Sequence, residues 1–184
     1  MAKHKKEIAD RYNASAKIYD KRYSSIQEQK YWEIFLRLVL TSNDAIIDVG
    51  CGTGMFLGIL QEQHEDIRNA PLIGIDLSYE MIKIAHEKFP DIDFIVADSD
   101  HLPFRSELFD KIVSVTHLQN LPLPIKTLTE IERVAKSKAK LAISILRKKW
   151  SLELLREELA KTSLIVEDEW TAQVEDVGVL CSRP

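Results

Sequence analysis

Between Ala45 and Phe56 the chain reads AIIDVGCGTGMF, and no other stretch narrows the possible folds as much. Ala45, Ile46, Ile47 and Val49 form an apolar run too short for a stable helix, preceded by the turn-forming Ser42-Asn43-Asp44, so a buried strand is predicted. Gly50, Gly52 and Gly54 follow at every second position, and bare backbone there lets the chain bend sharply and a ligand lie against it. Met55 to Gln63 then carries Phe56, Leu57 and Leu60 at helical spacing. The order is strand, glycine turn, helix. A dinucleotide fingerprint would need a third glycine three places after the second, where this chain has Met55, so a pyrophosphate site is disfavoured.

Downstream the same unit repeats. Pro71 breaks the chain, Leu72 to Ile75 reads as a second strand ending at Asp76, and Ser78 is placed to cap a helix over Tyr79–Lys88. Phe94–Ala97 is a third strand closing on Asp98-Ser99-Asp100, and Phe109–Val115 a fourth. Pro124 to Ser137 reads as a helix, Leu141–Leu146 as a fifth strand, Ser151–Lys161 as a helix, and Leu164–Trp170 with Val174–Cys181 as a closing strand pair. Upstream, Glu28–Leu40 shows Tyr31, Ile34, Phe35 and Leu38 at helical spacing, a stripe expected to pack on the sheet. In such a doubly wound sheet ligands bind beyond the carboxyl ends of the strands. Asp76 is therefore placed to accept hydrogen bonds from both ribose hydroxyls of an adenosine, with a merely capping aspartate as the alternative.

The spacing Asp48-x-Gly50-x-Gly52-x-Gly54 resembles motif I of the class I S-adenosylmethionine (SAM)-dependent methyltransferases. Asp76-Leu77-Ser78 resembles motif II, and His101-Leu102-Pro103-Phe104 and Phe109-Asp110 resemble later signatures of the ubiquinone/menaquinone-methyltransferase-like branch. The resemblance spans Ala45 to Leu146 and implies an α/β, Rossmann-like, doubly wound, mostly parallel seven-stranded sheet with helices on both faces and a C-terminal antiparallel strand. It implies one domain over 1–184: a helical lid segment at 1–40, a SAM-binding core at 45–146, and a C-terminal helix and strand pair at 151–184. It also implies SAM as cofactor, with S-adenosylhomocysteine as product. SAM contacts are expected from Asp48, Gly50, Cys51, Gly52 and Gly54, from Asp76 and Leu77, from Asp98 and Ser99 at the adenine, from Thr116, and from Tyr19 in a segment with Tyr12 and Tyr23 that folds over the cofactor in the resembled branch. That segment reads equally well as a helix docked on the sheet. His117 and Asn120 are the candidate catalytic residues. The imidazole of His117 is read as a proton acceptor or substrate partner, or as a pocket-lining group without chemistry. At the exit of the fourth strand, Val115-Thr116-His117-Leu118 departs from the Asn-Pro-Pro-Tyr pattern of nucleobase amino methyltransferases.

A chain of 184 residues with 45% hydrophobic content suits one domain. No apolar run approaches the roughly 20 residues of a membrane span, and the basic Met1–Lys6 is not followed by a signal-peptide pattern, so a cytoplasmic protein with no membrane partner is expected. Cys51 and Cys181 have no metal-ligand spacing and the five histidines are scattered, so no metal is expected. Net charge is −4, but Lys3 to Arg22 and Arg147-Lys148-Lys149 are basic. No inserted helices roof the site. An open rim flanked by cations favours a nucleobase of structured RNA as methyl acceptor, with a small metabolite such as a quinone precursor or acyl acceptor as the alternative. It also leaves room for a small activating protein subunit, or for a SAM-binding role within a complex.

Overall fold

The computed structural model describes residues 2–64, 67, 70–171 and 175–184. Seven strands form one sheet: β1 (Ile46–Val49), β2 (Leu72–Asp76), β3 (Asp93–Val96), β4 (Phe109–Val115), β5 (Ala135–Leu146), β6 (Ile165–Thr171) and β7 (Asp176–Ser182). Their order is β3-β2-β1-β4-β5-β7-β6. Strands β1 to β5 pair in parallel, and β7 runs antiparallel between β5 and β6. The expected Rossmann-like sheet is therefore the observed one. Strand order reverses between β1 and β4, and this reversal opens the crevice at their carboxyl ends.

The sheet is covered on both faces, which is why β1 is buried throughout and lacks the polar alternation of a half-exposed strand. Ile47 and Val49 face a layer containing α4 (Pro124–Val134) and α5 (Leu152–Leu159), anchored by Leu128, Ile131, Leu155 and Leu159. Ile46 faces the opposite layer of α2 (Met55–Gln63), α3 (Tyr79–Lys88) and the C-terminal part of α1 (Ala2–Phe35). Ser78 caps α3, its hydroxyl accepting from the Met81 amide at 3.3 Å.

Several boundaries differ from the sequence reading. The N-terminal tyrosine segment and the helix expected at Glu28–Leu40 form one helix of 34 residues, roughly 50 Å long, because neither Pro nor Gly interrupts Ala2 to Phe35. Its C-terminal end is held by burial. Tyr31, Ile34 and Leu38 are buried, and Phe35 stacks on Phe56 at 5.2 Å, each large apolar side chain contributing roughly 1.5–3 kcal/mol. Its N-terminal half is held by polar contacts. Asn13 accepts from Ser78 Oγ at 2.6 Å, and Asp20 accepts from Thr53 Oγ1 at 2.5 Å and pairs with Lys88 at 2.7 Å. Helix α4 ends at Val134 rather than Ser137, where β5 begins early through a register irregularity with Lys138 at φ 65°. Val174, expected at the start of the last strand, lies outside the described residues. No helix among the described residues is long and apolar enough to cross a membrane.

Candidate functional site

At the carboxyl ends of β1 to β4 the crevice divides into two chambers that meet at Tyr12, Tyr19, Gln27, Thr116 and Asn120. The rim is not open as expected. Helix α1 crosses it, and Lys5, Ile8 and Tyr12 line the inner chamber opposite the glycine turn.

The turn is built by hydrogen bonds from β2. Ile75 carbonyl accepts from the Gly50 and Cys51 amides at 2.8 and 2.9 Å, and one Asp76 oxygen accepts from the Gly52 amide at 3.1 Å. Gly50 takes φ 87°, and a Cβ on it would strike the His117 ring at 2.5 Å. Gly52 takes φ 55°, and a Cβ there would meet nothing within 4 Å, so its bare face looks into open space. Of the residues singled out in the sequence, Gly54 does not line the chamber. Its missing side chain instead admits the Phe94 ring, which a Cβ would meet at 2.5 Å.

Three carboxylates face the inner chamber. Asp48 is 3% exposed, its Oδ1 has no hydrogen-bond partner, and burial followed by the charge of nearby Asp76 pushes its carboxyl up to about 8. Asp76 is also raised, by burial, although its second oxygen accepts from the Ser78 amide at 2.8 Å. Asp98 is already engaged. Lys5, itself buried, pairs with Asp98 and with Asp100 at 2.5 Å; burial pushes the Asp98 carboxyl up, but Lys5 and the Asp100 amide outweigh it and hold it below the usual range.

His117 was read as a proton acceptor or substrate partner, or as a pocket-lining group, and the structure seats it in the lining of the inner chamber. Its ring lies over Gly50 in the inner chamber, Nε2 is 3.1 Å from Ser99 Oγ, and it does not line the outer chamber. Burial, with Lys5 nearby, pushes its pKa down to about 4, so at neutral pH it is an uncharged imidazole and a weak proton acceptor. Thr116, at the end of β4, holds φ 54°, a conformation that costs a β-branched residue roughly 1–3 kcal/mol. A buried network fixes it there. The Thr116 hydroxyl donates to Asp176 at 2.6 Å and accepts from Lys30 at 3.0 Å, while Lys30 pairs with Asp176 at 2.9 Å and Ser144 donates to the same carboxylate at 2.9 Å.

The outer chamber, about 390 Å³, lies between α1 and the loops after β4 and β5. Tyr12, Tyr19 and Tyr23 form one wall with ring centroids 6.3 and 5.0 Å apart. Tyr19 accepts from Gln27 Nε2 at 3.0 Å, and burial pushes its phenol up to about 12, so it is uncharged. Asn120 donates to the Thr116 carbonyl at 3.1 Å and receives Lys149 on its Oδ1 at 2.8 Å. Sequence reasoning missed Lys5, Gln27, Lys30 and Asp176, since each is a polar residue whose partner is remote in the chain. The one available signal was that Gln27 and Lys30 flank the apolar stripe of the same helix. No group of three or more His, Cys, Asp or Glu among the described residues could hold a metal ion.

A family model described as a methyltransferase domain matches residues 40–178. The chain is 30% identical over 136 residues to the malonyl-[acyl-carrier protein] O-methyltransferase of Marinomonas sp. (strain MWYL1), covering 72% of this chain and 49% of that protein. It is 34% identical over 146 residues to a ubiquinone/menaquinone biosynthesis C-methyltransferase of Campylobacter jejuni, covering 73% and 60% respectively. The chain thus spans about half to three-fifths of these relatives. Among solved structures, a complex between the Haloferax volcanii Trm112 methyltransferase activator and a candidate methyltransferase superposes with a TM-score of 0.83 at 19% identity, over 94% of this chain and 97% of that one. A methyltransferase model matching most of the chain, two relatives at 30% identity or more and the observed strand order lead to one assignment: the chain belongs to the class I SAM-dependent methyltransferase family, whose cofactor is SAM.

Proposed function

We propose that this chain transfers a methyl group from SAM, held in the inner chamber, to a small acceptor held in the outer one. The observation that carries the reading is the junction of the two chambers at Tyr12, Tyr19, Gln27, Thr116 and Asn120. The inner chamber's residues fit the cofactor: Asp48 offers a buried carboxyl oxygen without a partner, and Gly52 offers a bare face over open space. On this reading Asp48 receives the ammonium end, Asp76 the ribose hydroxyls, and Asp98 with the Ser99 backbone the adenine edge once Lys5 withdraws, with Leu77 and Cys51 packing beside them. Residues 1–40 then serve as lid, 45–146 as donor-binding core and 151–184 as the closing edge of one unit.

Bound there, SAM supplies a methyl group on a cationic sulfur, open to displacement in line. The chain's part is orientation and dryness. Tyr12 and Tyr19 shield the junction from water, while Thr116 and Asn120, fixed by the Asp176 network and by Lys149, position the acceptor. Orientation of this kind supplies up to roughly 7–11 kcal/mol, so no dedicated base is required of His117, whose role is to hold the turn at Gly50.

A small acceptor is supported by the roof that α1 provides and by relatives named for malonyl-acyl-carrier-protein and quinone methylation. The RNA acceptor expected from the basic segments has less support, because Lys5 is buried and Lys148 pairs with Glu175 at 2.9 Å. The Haloferax complex favours a small activating subunit as a partner. Methyl-labelled SAM incubated separately with metabolite, RNA and protein extracts tests the reading. Label is expected in the metabolite fraction and absent with Asp76→Ala, which stays folded; label confined to RNA would overturn the small-acceptor assignment.

A further inference from the structure

The outer chamber has a charge imbalance that donor binding does not explain. Five charged side chains line it: Arg11, Arg22, Lys30, Lys149 and Glu175. Lys30 is neutralised by Asp176, and Glu175 is occupied by Lys148 at 2.9 Å. That leaves Arg11, Arg22 and Lys149 with no carboxylate partner among the described residues. Arg11 and Arg22 lie against the Tyr12 and Tyr23 rings at 5.3 Å, an arrangement that orients each guanidinium beside the aromatic wall. Lys149, at the exposed mouth beside Arg11, donates to Asn120 at 2.8 Å; partial burial, then the field of Arg11, pushes its pKa down, so these two cations share one neighbourhood without a counter-charge.

Gln27 is 8% exposed and lines the chamber junction, yet its Oε1 has no partner while its Nε2 is spent on Tyr19. Gln119 repeats the pattern, its Oε1 unpartnered and its Nε2 donating to the Thr116 carbonyl at 2.6 Å. Buried acceptors left open in this way are satisfied by a ligand that brings N–H or O–H groups. Cations at the mouth call for the opposite polarity at the other end of the same molecule.

We propose that the outer chamber selects a small organic anion as methyl acceptor: an aromatic body packed against the mutually tilted rings of Tyr12, Tyr19 and Tyr23, a carboxylate or phosphate at Arg11 and Lys149, and a hydroxyl or amino donor directed at Gln27. This rests on the donor reading of the inner chamber, and the cations rather than any insertion set the specificity. A neutral or cationic molecule of the same shape would leave two facing cations uncompensated.

The test measures ligand binding to protein saturated with S-adenosylhomocysteine, by calorimetry. The probes are 4-hydroxyphenylacetate, its neutral amide and the cation tyramine, with phenyl phosphate as the phosphate arm. The carboxylate or the phosphate is expected to bind about tenfold tighter than the amide, the effect of one charge-assisted hydrogen bond, and tyramine weakest. In Arg11→Gln with Lys149→Gln that advantage should disappear while S-adenosylhomocysteine affinity holds, and Arg11→Lys with Lys149→Arg should keep it. Equal binding of anion and amide, a preference for tyramine, or no binding by any probe would overturn the proposal. So would a structured RNA whose binding, and not that of the carboxylate, is lost in the glutamine variant. Failure of S-adenosylhomocysteine to bind strikes the donor reading instead.

Discussion

Raising the pH from 6 to 8 should tighten the binding of S-adenosylhomocysteine, and Asp48 should be the reason. Its carboxyl is buried beside Asp76 with one oxygen unpartnered and its pKa pushed up to about 8, so between pH 6 and 7 it is protonated in the ligand-free protein. An ammonium placed against it favours the ionised form, so binding expels the proton. Each pH unit below 8 then costs about 1.4 kcal/mol of affinity. The binding constant should rise roughly tenfold from pH 6 to 7 and level off near 8. Calorimetry in two buffers of different ionisation enthalpy should register the release of close to one proton at pH 6.5. The ligand's own amino group titrates in every variant, so the Asp48→Asn protein is the control, expected to lose both the slope and the proton release. The free protein carries the opposite signature: a carboxyl whose folded pKa lies above its unfolded value stabilises most at low pH, and that contribution is lost as pH rises from about 4 through 8. An affinity flat from pH 6 to 8, or a slope unchanged in Asp48→Asn, would refute the reasoning.

Gly52→Ala should leave the protein folded, because its Cβ would meet nothing within 4 Å. Only the strain of φ 55°, about 1–2 kcal/mol, would be felt. The thermal shift produced by S-adenosylhomocysteine should nevertheless shrink markedly; an undiminished shift would show that no ligand approaches that backbone. Lys30→Met should lower stability to urea by roughly 3–5 kcal/mol, since it strands the Asp176 charge in the core. Adding Asp176→Asn, which still accepts from Thr116 and Ser144, should recover most of the loss, and failure to recover would mean that packing rather than charge is at stake.

The parts of the fold that were legible in the sequence are those whose cause is local. Ala45 to Gly54 announces strand and turn because a run buried on both faces must be apolar and a ligand-facing turn must be bare. Phe109–Val115 was readable as well, from its buried Phe109, Ile112 and Val113 and from the leading Phe109-Asp110 as a motif position. The N-terminal helix was not. Asn13, Ser15, Ser24 and Ser25 dilute its apolar stripe, and it persists because its C-terminal end is buried against α2 while its polar half finds partners on the glycine turn and α3. Of the site, the acidic residues at strand ends were visible as motif positions. Lys5, Lys30 and Asp176 were not, because a buried ion pair is written in two distant places and either half alone reads as solvated charge. Gly54 shows the converse: a motif position can be demanded by a packed phenyl ring whether or not a ligand lies there.

The Lys5 bridge has a consequence for turnover. With that ammonium seated between Asp98 and Asp100, the inner chamber encloses about 100 Å³, below the roughly 300–1,000 Å³ of clefts that bury drug-sized ligands. The far end of the same helix is held by Tyr31, Ile34 and the Lys30–Asp176 pair, and its middle by Asn13 and Asp20, so an opening at Lys5 would be confined to the helix's first turns. If Asp98 holds the adenine as proposed, loading exchanges one amine for another on that carboxylate, the lysine for the adenine. Unloading would reverse that exchange, so each cycle would include a release of the helix's first turns, in the microsecond-to-millisecond range of such motions.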